Sequence, residues 1–132
     1  MVAVVANSGS TAVGAFDDLA AIGAICAERG VWLHVDGAHG ASALLSERHR
    51  ACMAGSEQAT TIAWDPHKMM LLPLATGVLL ARDKALLDRA FQQSAPYLFH
   101  GRDALPVDQG VRSFQTSRRG DALRLWFAWQ RY

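Results

Sequence analysis

A strand, a helix and a second strand follow one another between Val2 and Asp36, and that order constrains the fold more than anything else in the chain. Val2 to Ala6 is a short apolar run ended by Asn7-Ser8-Gly9-Ser10, the pattern of a strand entering a loop. Phe16 to Arg29 carries apolar residues at Leu19, Ile22, Ala24, Ile25 and Ala27, with Asp17 and Asp18 at its start and Gly30 past its end. This is the spacing and punctuation of an amphipathic helix. Val31 to Asp36 reads as the second strand. A strand–helix–strand unit of this length joins two parallel strands by a right-handed crossover.

The rest of the chain extends the same sheet. The small residues Gly37 to Ser42 lead into a mixed segment with one or two short helices. Thr60 to Trp64 is a third strand and Ala75 to Ala81 a fourth. The ten residues between Trp64 and Ala75 are too few for a helical crossover, so the fourth strand is expected to run antiparallel. Asp83 to Gln93 reads as a helix, Ser94 to Gly110 as a loop, and Gly120 to Tyr132 as a helix with Leu123, Trp126, Phe127 and Tyr132 facing inward. The expected fold class is α/β, a mainly parallel sheet with one antiparallel strand. The chain opens in a strand and closes in a helix, as a slice of a larger domain would.

Composition narrows the function classes. Hydrophobic residues make up 51% of the 132 residues, enough for a packed core. Thirteen basic residues against twelve acidic ones leave a net charge of +1, without a basic surface for nucleic acid or an anionic membrane. No apolar stretch reaches the roughly 18 residues of a membrane span, and the first residues lack the basic start of a signal peptide. The cytoplasm is therefore the expected compartment. Cys26 and Cys52 make no metal-binding or redox motif and are read as ordinary thiols.

In open α/β sheets ligands bind beyond the carboxyl ends of the strands. Three polar groups lie at such ends: Asn7 to Thr11, Asp36, and Asp65-Pro66-His67-Lys68. Asp36 has two readings, a cap on the turn after its strand or a ligand group. Of the thirteen basic residues only Lys68 and Lys84 are lysine, so lysine chemistry has two possible locations. Lys84 begins a helix four residues before Asp88, as a solvated ion-pair residue does. Lys68 lies between Trp64 and the Met69-Met70-Leu71-Leu72 run, an apolar setting that favours a free amine able to form a Schiff base with a carbonyl. An aspartate and a lysine converging on one pocket suit pyridoxal 5'-phosphate: the lysine holds the aldehyde carbon and the aspartate keeps the pyridine nitrogen protonated.

His34 to Ser42 (HVDGAHGAS), Asp65 to Met70 (DPHKMM) and Gly9 to Leu19 (GSTAVGAFDDL) resemble the group II pyridoxal-phosphate-dependent amino-acid decarboxylases. That family includes glutamate, aromatic amino-acid and 2,4-diaminobutyrate decarboxylases. The resemblance continues through APYLFHGRD and the closing SRRGDALRLWFAW, and it leans towards the 2,4-diaminobutyrate branch. It implies the large domain of the aspartate-aminotransferase type (fold type I). Residues 1–132 would be part of that domain, with an N-terminal part and a small C-terminal domain lying outside them. It also implies an amino-acid substrate and a homodimeric enzyme.

By the same resemblance Lys68 is the lysine bonded to the cofactor, Asp36 the partner of the pyridine nitrogen, and Ala38 a residue packed on the ring. His67 would contact the phosphate and Thr11 would lie near the cofactor. Tyr97 has two readings: an anchor for its loop through the ring, or, by resemblance to the aromatic amino-acid branch, a residue that helps protonate Cα after carbon dioxide leaves. Asp65 departs from the family pattern, in which several relatives carry Asn; a carboxylate repels phosphate unless a basic group intervenes or the side chain points away, so Asp65 is not counted among the binding residues. His39, Arg118 and Arg119 are read as structural. Two rival readings stand beside decarboxylation. One is another enzyme of the same fold, an aminotransferase or a cysteine-desulfurase-like lyase; the other is a truncated, non-catalytic remnant.

Overall fold

The computed structural model describes residues 2–91, 110–115 and 117–131, in two compact units: Met1–Arg82 with Gly120–Tyr132, and Asp83–Arg119. The first unit holds a four-stranded sheet of β1 (Ala3–Asn7), β2 (Trp32–Asp36), β3 (Thr61–Trp64) and β4 (Val78–Ala81), in that spatial order. β1, β2 and β3 are mutually parallel, and β4 returns antiparallel to β3. Both features match the sequence expectation, including the reversal forced by the short β3–β4 connection.

Paired residues of neighbouring strands share a face of the sheet. Ala6, Leu33, Val35 and Trp64 lie on the face covered by helix α1 (Leu19–Glu28), which buries Leu19, Gly23 and Cys26. Ala41, Ala43, Met53 and Ala59 complete this core. The opposite face carries Val5, Trp32, His34, Asp36 and Leu79, with Val5 65% and Leu79 47% exposed. Trp32 Nε1 donates to Thr61 Oγ1 at 3.1 Å, and the His34 ring pairs with the same hydroxyl at 2.8 Å, which ties β2 to β3 across this face.

Helix α1 starts later than its apolar pattern suggests, because the two aspartates serve its entry. Asp18 is the N-cap and accepts from Ala21 N–H at 3.0 Å, while Asp17 Oδ2 accepts from Asn7 N–H at 2.7 Å. Between β2 and β3 the mixed segment forms three short 3₁₀ turns, Gly40–Leu45, Arg50–Met53 and Ser56–Gln58.

Helix α3 (Ala122–Arg131) differs from expectation in the face it presents. Leu123, Trp126 and Phe127 are 58%, 53% and 62% exposed, whereas Leu125 packs on the core and the Trp129 ring lies 6.2 Å from that of Trp64. Leu125 and Trp129 stand one helical turn apart, and they meet the core where Trp64 offers an aromatic surface. Trp126 and Phe127 pack instead on each other, edge to face, at 5.0 Å. Tyr132 lies outside the described residues.

In the second unit, α2 (Ala85–Phe91) begins two residues later than the predicted helix over 83–93, and positions 92 and 93 lie outside the described residues. Asp83 caps its start through the Ala85 N–H at 2.9 Å, and Arg112 pairs with Asp88 at 2.6 Å. Most of the expected loop over 94–110 lies outside the described residues. Among the described residues no helix is long and apolar enough to cross a membrane.

Candidate active site

Three parallel strands end on one edge of the sheet, and their ends are laced together by main-chain hydrogen bonds. The register sets Asn7 beside Asp36 and Asp36 beside Ala63. Ser8 N–H donates to Asp36 O at 2.8 Å, Gly40 N–H to Ser8 O at 3.0 Å, and Asp65 N–H to Ala38 O at 3.1 Å. The loops after β1, β2 and β3 are thereby held side by side. Gly9 sits at a close crossing of the loops after β1 and β2. Its φ is +83°, and a Cβ there would lie 2.7 Å from Gly40 N.

Asp36 occupies the exposed tip of β2 on the face opposite α1. Its Oδ1 accepts from Ala38 N–H at 3.1 Å, so the residue does cap its turn. The cap engages Oδ1, and among the described residues nothing hydrogen-bonds Oδ2. The capping and ligand readings are therefore compatible. Ala38 joins two of the site's loops, since its N–H bonds Asp36 and its carbonyl accepts from Asp65.

The loop from Asp65 to Gly77 brings the remaining groups to the same edge. Lys68 N–H donates to Asp65 O at 2.9 Å, closing a tight turn directly after β3. His67 Nδ1 lies 2.7 Å from Thr76 O and 3.1 Å from Thr76 N, so the Thr76 backbone grips one ring nitrogen in either tautomer. Thr76 is 2% exposed, and its hydroxyl donates to Pro73 O at 3.0 Å. The other ring nitrogen, Nε2, stands 3.9 Å from Asp65 Oδ2.

Lys68 is not wrapped by the hydrophobic run that follows it. Met69 is 52% and Leu71 87% exposed, and the Lys68 ammonium makes an ion pair with Asp65 Oδ2 at 3.0 Å. The expected apolar setting is thus replaced by a carboxylate. Met70 is the member of that run that packs against the core.

The predicted residues divide into three groups. Asp36, Ala38, His67 and Lys68 converge on one edge. Thr11 is exposed in the loop leaving β1 on that edge, and no hydrogen bond joins it to the other four among the described residues. Tyr97 lies outside the described residues. Sequence reasoning missed Thr76, whose part is played by main-chain atoms that leave no side-chain signature. Cys26 is buried in the core and Cys52 exposed, both as free thiols, and among the described residues no cluster of His, Cys, Asp and Glu could hold a metal ion.

Comparison with known proteins addresses the family and the fold. The family model described as the pyridoxal-dependent decarboxylase conserved domain matches residues 1–132. Acidic amino acid decarboxylase GADL1 of Bos taurus is 44% identical over 130 residues, covering 96% of this chain and 25% of that protein. Cysteine sulfinic acid decarboxylase of Rattus norvegicus is also 44% identical, with 96% of this chain and 26% of that protein covered. The chain therefore spans about a quarter of the length of these relatives.

Among solved structures, mouse CSAD in apo form superposes with a TM-score of 0.88 at 40% identity, over 98% of this chain and 27% of that one. Oryza sativa TDC with PLP and tryptamine gives 0.90 at 27% identity, over 98% and 27%. The sheet and its flanking helices are those of the fold-type-I decarboxylases. With the matched domain running from its first residue to its last, the chain belongs to the pyridoxal-dependent decarboxylase family.

Proposed function

We propose that this chain supplies the lysine-bearing part of the cofactor site in an enzyme that decarboxylates an amino acid with pyridoxal 5'-phosphate. The observation that carries the reading is the convergence of Asp36, Ala38, His67 and Lys68 on one sheet edge, bound together by Asp65 N–H to Ala38 O. These groups fit a flat anionic aldehyde. Lys68 offers an amine to the carbonyl carbon, Asp36 a carboxylate to the ring nitrogen, and His67 an imidazole to the phosphate. Ala38, small and between them, leaves room for the ring.

When bound, the protonated pyridine ring draws electron density from the substrate's Cα and so allows the bond to the carboxylate to break with release of carbon dioxide. The chain's own residues hold and orient. Asp36 keeps a proton on the ring nitrogen, and the Thr76 backbone fixes the His67 ring. Thr11 brings a hydroxyl to the same edge. Tyr97 is the proposed proton donor to Cα.

The intact enzyme is proposed to be a cytoplasmic homodimer in which residues 1–132 form part of the large domain. The two relatives named above act on acidic amino acids, by their names, which supports a substrate with a second acidic group over 2,4-diaminobutyrate. The reading of the isolated chain as a non-catalytic remnant draws on the exposed Val5, Trp32 and Leu79 of the Asp36 face.

Incubation with pyridoxal phosphate, borohydride reduction and peptide mapping test the cofactor site. A pyridoxyl group concentrated on Lys68 over Lys84, and much reduced in Asp36→Ala, is the expected result. Equal modification of both lysines would sink the site reading for this chain and favour the remnant. Carbon dioxide release from aspartate, cysteine sulfinate and 2,4-diaminobutyrate by the longer enzyme then separates decarboxylation from transamination and ranks the substrates.

A further inference from the structure

Asp65 is the site residue that the cofactor assignment leaves without a task, and it holds the most direct contact with the lysine. Its position is fixed by main-chain bonds on both sides: its N–H reaches Ala38 O at 3.1 Å, and its carbonyl accepts from Lys68 N–H at 2.9 Å. Its carboxylate Oδ2 lies 3.0 Å from Lys68 Nζ and 3.9 Å from His67 Nε2. On its other side stands Gly77, where a Cβ would come within 3.2 Å of Oδ1. A residue without a side chain thus lies next to the carboxylate, which is left to face the two basic groups.

We propose that Asp65 is a positioning residue that holds the Lys68 ammonium in an ion pair and restrains its use as a nucleophile until the pair is opened. The inference deepens the cofactor reading and rests on Lys68 being the lysine that meets the aldehyde. Attack on a carbonyl carbon needs the nitrogen's lone pair and a free approach, and a carboxylate oxygen 3.0 Å from Lys68 Nζ occupies one side of that nitrogen. Asp65 also sets a negative charge beside His67, where an anionic ligand would have to settle, so an arriving phosphate competes with the carboxylate for the same basic groups. An asparagine at this position would keep the main-chain bonds and lose the ion pair. The side-chain charge at position 65 therefore governs how readily the lysine is captured, while the main chain governs where it sits.

Lys84 provides an internal reference, being exposed and without a recorded ion pair among the described residues. Acetic anhydride, an uncharged probe of amine availability, is applied to the 132-residue chain and to D65N and D65E at one pH. Acetylation at Lys68 and Lys84 is then counted by peptide mapping. The Lys68-to-Lys84 ratio is expected to rise about 1.5- to 5-fold in D65N, the span of a partly exposed ion pair, and to stay within about 1.5-fold of wild type in D65E. A D65N ratio equal to or below that of wild type would overturn the proposal.

Wild type in denaturant supplies the unfolded reference and needs no variant. A ratio that does not rise on unfolding means that Lys68 was never held, and it overturns the proposal as well. Pyridoxal phosphate with borohydride is read separately. Expected acetylation ratios without Lys68-selective pyridoxyl labelling would remove the cofactor reading and leave the ion-pair restraint standing. Selective labelling with an unchanged acetylation ratio would do the reverse.

Discussion

Replacing Gly9 by alanine tests whether the site's edge is held by a close main-chain crossing, and Gly14 supplies the control. Both glycines lie in the loop after β1 with positive φ, +83° at Gly9 and +67° at Gly14. An alanine at either position meets the left-handed backbone penalty, about 1–2 kcal/mol. Only Gly9 has neighbours. Its added Cβ would stand 2.7 Å from Gly40 N and 2.8 Å from Gly40 Cα, whereas a Cβ on Gly14 meets nothing within 4 Å.

Main-chain atoms cannot swing aside as a long side chain does, so the Gly9 variant carries an overpacking cost of about 1–3 kcal/mol on top of the backbone term. Gly9→Ala is therefore expected to lose about 2–5 kcal/mol and Gly14→Ala about 1–2 kcal/mol. Urea unfolding followed by tryptophan fluorescence measures the difference, with the buried Trp64 as a reporter. For a urea slope of about 1–3 kcal/mol per molar, the Gly9 midpoint should lie about 0.3–3 M below that of Gly14→Ala. A Gly9 variant unfolded without urea, beside a folded Gly14 variant, is the same result at its limit. Coincident midpoints would refute the reasoning, because the crossing would then impose no constraint of its own.

Two further substitutions probe the supporting structure. Asp18→Ala removes the cap on the Ala21 N–H and should destabilise the chain by about 0.5–2 kcal/mol in the same urea assay, with Asp18→Asn recovering most of the loss. Leu123→Gln on the exposed side of α3 should change stability by no more than about 0.5 kcal/mol, while Leu125→Ala on the packed side costs clearly more. Equal effects at 123 and 125 would contradict the observed orientation of that helix.

The sheet was legible because its signals are local and repeated. Short apolar runs marked all four strands, with small polar residues closing the first, and the length of the β3–β4 connection marked the reversal. The starts of α1 and α3 were less legible. Asp17 and Asp18 look like first-turn acids in a sequence, yet the folded chain uses them as hydrogen-bond acceptors just outside the helix. The inward face of α3 depended on a tertiary partner, Trp64, that helical periodicity does not contain.

Within the site, Asp36, His67 and Lys68 stood out because strand ends are where ligands gather. The apolar run after Lys68 suggested a buried amine, but Met69 and Leu71 are exposed, Met70 packs on the core, and Asp65 takes the place beside the nitrogen. Thr76 gave no warning. Its contribution is a carbonyl and an amide that any residue in that backbone conformation could provide.

The lacing of the three loops by Ser8, Gly40 and Asp65 amides separates location from chemistry. Because peptide groups set where the β3 tip lies, side chains there are interchangeable parts in a fixed frame: a carboxylate can replace an amide at position 65 without moving the lysine three residues on. Such an edge can be retuned by single substitutions, each altering charge or reach while the frame stays still. Changes to the small residues that let the loops meet would instead move every functional group together.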